Sequence, residues 1–179
     1  MSDDRVYPDE PADGFPEPPV SFEDRDGRGI RIRPFEQSEL NAVVEMYLEF
    51  DPKDRAQGIP PTGEARVRSW LNTLVDEGLN VVAWHGDDVA GHATLVPDGD
   101  DDGVTTYELA IFVLQEYQEA GIGSRLMEAL LGYGRREGVE RVWLTVERWN
   151  TAAVNLYEKM GFETSNAESF ELEMSLRLH

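Results

Sequence analysis

The residues best placed by type and spacing to do chemistry are two glycines in the run Gln118-Glu119-Ala120-Gly121-Ile122-Gly123-Ser124-Arg125. They lie between an apolar strand-like stretch ending at Leu114 and a strongly periodic helical stretch. Glycines that open a helix leave backbone N–H groups uncovered by side chains, and those donors sit at the positive end of the helix dipole. The chemistry this favours is recognition of a phosphate or pyrophosphate. A dinucleotide fingerprint would need a third glycine where Leu126 stands, and a tight turn where six residues separate Leu114 from Gly121. A Walker loop is excluded, because no Gly-Lys-Ser/Thr follows. Arg125 reads either as a phosphate contact or as a solvated surface residue, and Gln118 either braces the loop or is a plain turn residue.

Cysteine is absent, which removes disulfides, thiolate metal sites and a Cys nucleophile. His85, His92 and His179 lack metal-ligand spacing, so no metal is expected. Among the other titratable groups, Glu108 stands inside an otherwise apolar strand, where a carboxylate is costly unless used or paired. Strand alternation puts Glu108, Ala110 and Phe112 on one face. The bland alternative is a strand-end residue turned to water, since Thr106 and Tyr107 flank it. Glu147 is a second carboxylate, at the end of another strand. Asn150, Ala153 and Tyr157 fall at i, i+3 and i+7, hence on one helix face. Asn150 also reads as a helix N-cap, and Tyr157 as a packing residue with its hydroxyl at the surface.

Positioning these groups are elements in the order βααβββαβαβ. Alternation predicts a strand over Ile30–Arg33, stopped by Pro34, and apolar spacing predicts a helix from near Ser38 through Leu48. A polar loop, Asp51 to Gly63, leads to a second helix over Glu64–Glu77. Leu79–Trp84 and Val89–Val96 read as strands joined by the turn His85–Asp88. The Asp- and Gly-rich stretch Pro97–Gly103 reads as another turn, before a strand over Val104–Leu114. The helix after the glycine loop carries the stripe Ile122, Leu126, Leu130 and Tyr133, and Gly138 ends it. A strand over Arg141–Val146, a helix over Thr151–Met160 and a strand over Phe170–Leu176 complete the chain. The fold expected is α/β (α+β), with a mixed central sheet of six to seven strands and four helices in one domain, residues 29–179. Residues 1–28, rich in Asp, Glu, Pro and Gly, read as a flexible acidic extension that Phe15, Val20 and Phe22 could pin to it.

The run from Gln118 to Gly123 resembles the acyl-CoA loop of the GNAT superfamily of N-acetyltransferases, Gln/Arg-x-x-Gly-x-Gly/Ala. Asn150-Thr-Ala-Ala153-Val-Asn-Leu-Tyr157-Glu-Lys-Met-Gly161-Phe162 is similar to the family's second signature, and the element order agrees from Ile30 to Leu176. The resemblance implies a GNAT fold and transfer of an acetyl or other short acyl group from acetyl-CoA to an amine, by direct attack in a ternary complex. It implies that Phe112, Val113, Leu114, Gln118, Ala120, Gly121, Ile122, Gly123, Ser124, Arg125, Asn150, Ala153 and Tyr157 hold acyl-CoA. It further implies that Tyr157 protonates the departing thiolate and that Glu108 acts as base. A phenol near pKa 10 stays protonated at neutral pH and can serve a thiolate of pKa about 8.5. Two other readings are carried beside this one: a non-catalytic acyl-CoA sensor, and an enzyme acting on protein lysines or N-termini. Acceptor recognition is expected from the Asp51–Gly63 loop and the following helix, where Arg55, Gln57, Arg66 and Arg68 either read an anionic group or form surface salt bridges.

Charge sets the outer limits. Lys and Arg total 16 against 36 Asp and Glu, a formal net charge of −20, and Lys53 and Lys159 are the only lysines. Such a balance argues against nucleic-acid and anionic-membrane partners and leaves a small-molecule amine or a peptide as acceptor. It is compatible with a homodimer. At molar salt the Debye length is about 3 Å, so crowded carboxylates barely repel one another. The bland reading is an ordinary acidic cytosolic protein; lysine poverty beside abundant Asp points instead to a halophilic cytoplasmic one. No run of apolar residues reaches the length of about 18 expected of a membrane-spanning helix.

Overall fold

Eight strands form one sheet in the order β1-β2-β3-β4-β5-β6-β8-β7 in a computed structural model that describes residues 5–54, 59–166 and 170–179. The strands are β1 (Val20–Glu23), β2 (Gly29–Pro34), β3 (Leu79–His85), β4 (Asp88–Asp101), β5 (Val104–Val113), β6 (Arg141–Glu147), β7 (Glu163–Asn166) and β8 (Glu171–Arg177). The helices are α1 (Leu40–Leu48), α2 (Glu64–Glu77), α3 (Ile122–Arg136) and α4 (Thr151–Met160). β1 to β5 form an antiparallel meander, and β5 pairs with β6 in parallel through the crossover helix α3. β8 runs antiparallel to both β6 and β7, which makes β6-α4-β7 a second crossover.

The sheet has one strand more than the upper end of the expected range. β1 begins before the domain boundary expected at residue 29, and β7 has no hydrophobic run of its own to announce it. β4 also continues to Asp101, through the Asp- and Gly-rich stretch expected to be a turn, with a register shift between Pro97 and Asp100. The turn itself is confined to Asp102 and Gly103, both in the left-handed region at φ 52° and 83°.

The core is thickest under α3, whose Ile122, Leu126, Leu130 and Leu131 are all buried on the sheet. Gly91 of β4 fits beneath Leu126, and a Cβ there would come within 2.8 Å of its side chain. On the opposite face, α1 and α2 pack through an aromatic cluster. Tyr47 lies 5.0 Å from Trp70 and 5.6 Å from Phe112, ring centroid to centroid. Inside it is a closed polar chain. Asn80 donates its Nδ2 to the Leu74 carbonyl (2.9 Å), which turns its Oδ1 to accept from His92 Nε2 (2.7 Å). His92 Nδ1 is left to accept from the Tyr47 hydroxyl at 2.5 Å. All four partners are satisfied by a neutral imidazole.

Candidate active site

β5 and β6 pair over only three rungs, Thr106–Arg141, Tyr107–Val142 and Glu108–Trp143. β5 continues to Val113 and β6 to Glu147, so the facing edges of 109–113 and 144–147 part beyond Glu108 and Trp143. An opening at the carboxyl ends of two adjacent parallel strands is where open α/β sheets admit ligands. The glycine loop closes its mouth. Gly121 takes the N-cap of α3 in the left-handed conformation, φ 88°, with no side chain capping the helix. The first backbone N–H groups, at Ile122, Gly123 and Ser124, therefore remain available as donors. Gln118 donates its Nε2 to the Val113 carbonyl at 2.9 Å, tying the loop to the end of β5. Ala120 and Ile122 are buried and hold the loop inward, behind Leu114, while Ser124 and Gly123 are half-buried and Arg125 is exposed.

Arg25 stands against the glycine loop, a placement that nothing in the sequence announces. Its N–H donates to the Ala120 carbonyl (3.1 Å), and its Nε lies 3.7 Å from the point where a Gly121 side chain would begin. With Arg125, whose guanidinium sits 4.9 Å over Phe22, it lines a cavity against Gly121 and Ser124. No local periodicity marks Arg25, because it comes from the segment expected to be a flexible tail. It is positioned by the turn after β1, where Asp24 accepts from the backbone N–H groups of Asp26 and Arg28.

α4 carries the next candidate residues. Asn150 Oδ1 accepts from the Ala153 N–H at 3.2 Å, so the N-cap reading describes what this oxygen does. Tyr157, half-buried like Ala153, packs its ring 6.0 Å from Phe162, and burial pushes its phenol above the ordinary value. α4 is the crossover that joins β6 to β7.

Glu108 occupies the apex of the opening. Register places Val96, Thr94 and His92 of β4 on its face, together with Ala110 and Phe112, and Trp143 beside it on β6. Its carboxyl is held above the ordinary value, first by burial and then by the charge of Asp98, with smaller contributions from Glu171 and Glu173; Arg5 pulls the other way. Two buried polar atoms on this face, Thr94 Oγ1 and Trp143 Nε1, have no hydrogen-bond partner among the described residues. Buried polar atoms are usually paired, so orphans beside a carboxylate mark a place built to hold something polar. Glu147 is exposed at the far end of β6, beyond the apex. Arg55 and Gln57 lie outside the described residues. Arg68 donates to Asn41 Oδ1 (2.8 Å) and stands 3.7 Å from Glu64, and Arg66 is exposed. Among the described residues no group of His, Asp or Glu is arranged to hold a metal ion, and no helix is long and apolar enough to cross a membrane.

The model of the Acetyltransferase (GNAT) family matches residues 40–162, which include the apex, the glycine loop and α4. The chain belongs to the GNAT acetyltransferase family. Over 141 residues it is 33% identical to the mycothiol acetyltransferase of Kocuria rhizophila, covering 76% of this chain and 46% of that protein. Over 61 residues it is 38% identical to the [ribosomal protein bS18]-alanine N-acetyltransferase of Escherichia coli, covering 34% of this chain and 40% of that protein. The chain thus spans less than half the length of these curated relatives. The GNAT domain of S. lividans PAT has the same fold, with a TM-score of 0.73 at 16% identity over 89% of this chain and 97% of that one. So does a putative acetyltransferase from Salmonella typhimurium with its cofactor acetyl-CoA, with a TM-score of 0.64 at 20% identity over 84% of this chain and 94% of that one.

Proposed function

We propose that this GNAT protein transfers an acetyl group from acetyl-CoA to an amine by direct attack in a ternary complex. The observation that carries the reading is the parting of β5 and β6 beside Glu108, with the donor-rich glycine loop at its mouth. Free strand edges suit the amide-bearing arm of CoA, the Ile122–Ser124 N–H groups suit its pyrophosphate, and Arg25 and Arg125 supply charge nearby. The thioester then lies at the apex. Glu108 takes a proton from the incoming ammonium, directly or through water, and the neutral amine adds to the thioester carbon. Collapse of the tetrahedral adduct breaks the carbon–sulfur bond, the thiolate takes its proton from the Tyr157 hydroxyl, and the phenolate recovers one from the nitrogen as the amide forms. A phenol raised by burial stays protonated at neutral pH and keeps this proton available.

Relatives bearing the names of a small-molecule enzyme and of a protein N-terminal enzyme leave both acceptor kinds in view. A sensor that binds acyl-CoA without turnover needs neither the carboxylate of Glu108 nor the phenol of Tyr157, and the presence of both counts against it. The deciding experiment is an acetyl-CoA turnover screen in molar KCl against amines, amino acids, polyamines and peptides. Release of CoA thiol that depends on one acceptor class supports the reading; tight acetyl-CoA binding with no turnover on any class supports the sensor.

A further inference from the structure

Resting on that transferase reading, we infer that the acceptor side of the apex is a cation subsite for an alkylammonium group, held in this structure by the guanidinium of Arg5. Arg5 belongs to the segment expected to be a loose tail, yet its side chain is only 6% exposed. Its Cζ stands 3.8 Å from the centroid of the Trp143 ring, and its Nη2 donates to Glu173 Oε1 at 3.3 Å. Trp143 is the rung partner of Glu108, so the guanidinium lies over the residue beside the proposed base. An aromatic face with carboxylates at its edge is the chemistry that recognises an ammonium ion. The arginine is also an imperfect occupant: its Nε is buried with no hydrogen-bond partner among the described residues, as are Trp143 Nε1 and Thr94 Oγ1 on the same face.

The surroundings point to the same sign of charge. Asp98, Glu171 and Glu173 all act on Glu108, and Arg5 is the cation that opposes them. A cationic amine entering here exchanges with Arg5, replacing one positive charge by another. A carboxylate-bearing acceptor would have to bring a negative charge among these acids. Arginine is suited to hold the place without reacting, because its guanidinium stays protonated, whereas a lysine amine can lose its proton and attack. The segment is tethered to the domain by backbone groups, Val6 O accepting from Ser175 Oγ (2.6 Å) and Ala12 N–H donating to Arg177 O (2.7 Å). Release of the Arg5 side chain therefore does not require the whole segment to leave.

A single substitution turns the occupant into a substrate. In Arg5→Lys the new Nζ falls near the former Cζ, over Trp143 and beside Glu108. Incubated with acetyl-CoA, this variant is expected to acetylate its own residue-5 side chain, at a rate independent of protein concentration and ahead of Lys53 and Lys159, as read by peptide mass mapping. The balance is that of the proposed reaction: an N–C bond forms, the C–S bond breaks, and CoA leaves as thiol. Arg5→Met removes the charge that holds the side chain among these acids, so its flexible stem yields the Trp143 face to an incoming cation. If the subsite is free in about a tenth of wild-type molecules, this variant should bind spermidine about tenfold more tightly by calorimetry. An unmodified residue-5 peptide in a variant that still acetylates free spermidine would overturn the subsite and leave the transferase standing. Equal spermidine affinity in wild type and Arg5→Met would overturn it as well. Wild-type protein that binds no acetyl-CoA and acetylates no amine would overturn the transferase reading, and the subsite with it.

Discussion

At the scale of single residues, the proposed acid and base can be separated by their pH behaviour. Tyr157→Phe keeps the ring beside Phe162 and removes the proton donor. Loss of a general acid costs about 10²–10⁴-fold, or roughly 3–5 kcal/mol of transition-state stabilisation. The loss should fall on kcat more than on acetyl-CoA affinity, because the hydroxyl acts once charge develops on sulfur. A Tyr157→Phe enzyme within about threefold of wild type would reduce this residue to packing. As the proposed base, Glu108 would work only when ionised, and burial with Asp98 raises its carboxyl, so the acid limb of kcat/KM should lie above the ordinary carboxylate range. Replacing Arg5 by Met removes the cation that opposes this rise, and the limb should then move to higher pH; Asp98, Glu171 and Glu173 all push in the same direction. In Glu108→Gln the deficit should shrink at high pH, where more of the amine is already neutral. At the loop, a Cβ on Gly123 meets nothing closer than Val113 at 3.9 Å, so Gly123→Val should fold. Its side chain would nevertheless cover the approach to the backbone donors. Calorimetry should show acetyl-CoA affinity reduced at least about tenfold, and unchanged affinity in a folded variant would remove the phosphates from this loop.

At the scale of elements, the Tyr47–His92–Asn80 chain fastens α1 and the end of α2 to β3 and β4. Burial lowers the His92 imidazole to about 3, against an ordinary value of 6.5. Between these values the unfolded chain binds a proton that the folded one refuses. Stability should therefore fall as pH falls through that window, by up to about 1.4 kcal/mol per pH unit from this one group. Denaturant melts of wild type and His92→Gln from pH 7 to pH 4 provide the check. The variant starts less stable, and its curve should be flatter; parallel curves would show that His92 does not carry the acid response. The sequence displays His92 only as an isolated titratable residue in a largely apolar strand, with no hint that Tyr47 and Asn80 would reach it from elsewhere. The same limit explains the other misses. Helices α2, α3 and α4 show their boundaries in the chain, through apolar period and through Gly138 and Gly161, because those signals are local. β1 and β7 are four residues each and depend on their neighbours for pairing. Arg5 and Arg25 take their places through contacts with residues far along the chain, with Glu173 and Trp143 in one case and Ala120 in the other. The glycine loop and the Asn150–Phe162 run could be read in advance because each is a single continuous segment.

At the scale of the whole molecule, charge is the unsettled quantity. Carboxylates exceed basic groups by 20, so even complete pairing would leave that many negative charges without a cation of the chain's own. The structure uses several of its arginines on aromatic faces, Arg125 on Phe22 and Arg136 on Tyr133 among them. Glu147, Glu171 and Glu173 share one face of β6 and β8, where the rung Glu147–Glu171 sets two like charges opposite each other. In dilute salt these groups repel across the folded surface more strongly than along an expanded chain, and that difference destabilises the compact state. The Debye length shrinks from about 10 Å at 0.1 M to about 3 Å at 1 M salt, which is shorter than most separations between surface carboxylates. The melting temperature is therefore expected to climb as KCl is raised from about 0.1 to 2 M. Most of that gain should come before 1 M, where screening of the surface is nearly complete. The same screening should weaken spermidine at the cation subsite, so stability and acceptor affinity should move in opposite directions along one salt series. A melting temperature flat or falling over that range would remove surface repulsion as a force in this fold, and with it the case for a high-salt protein.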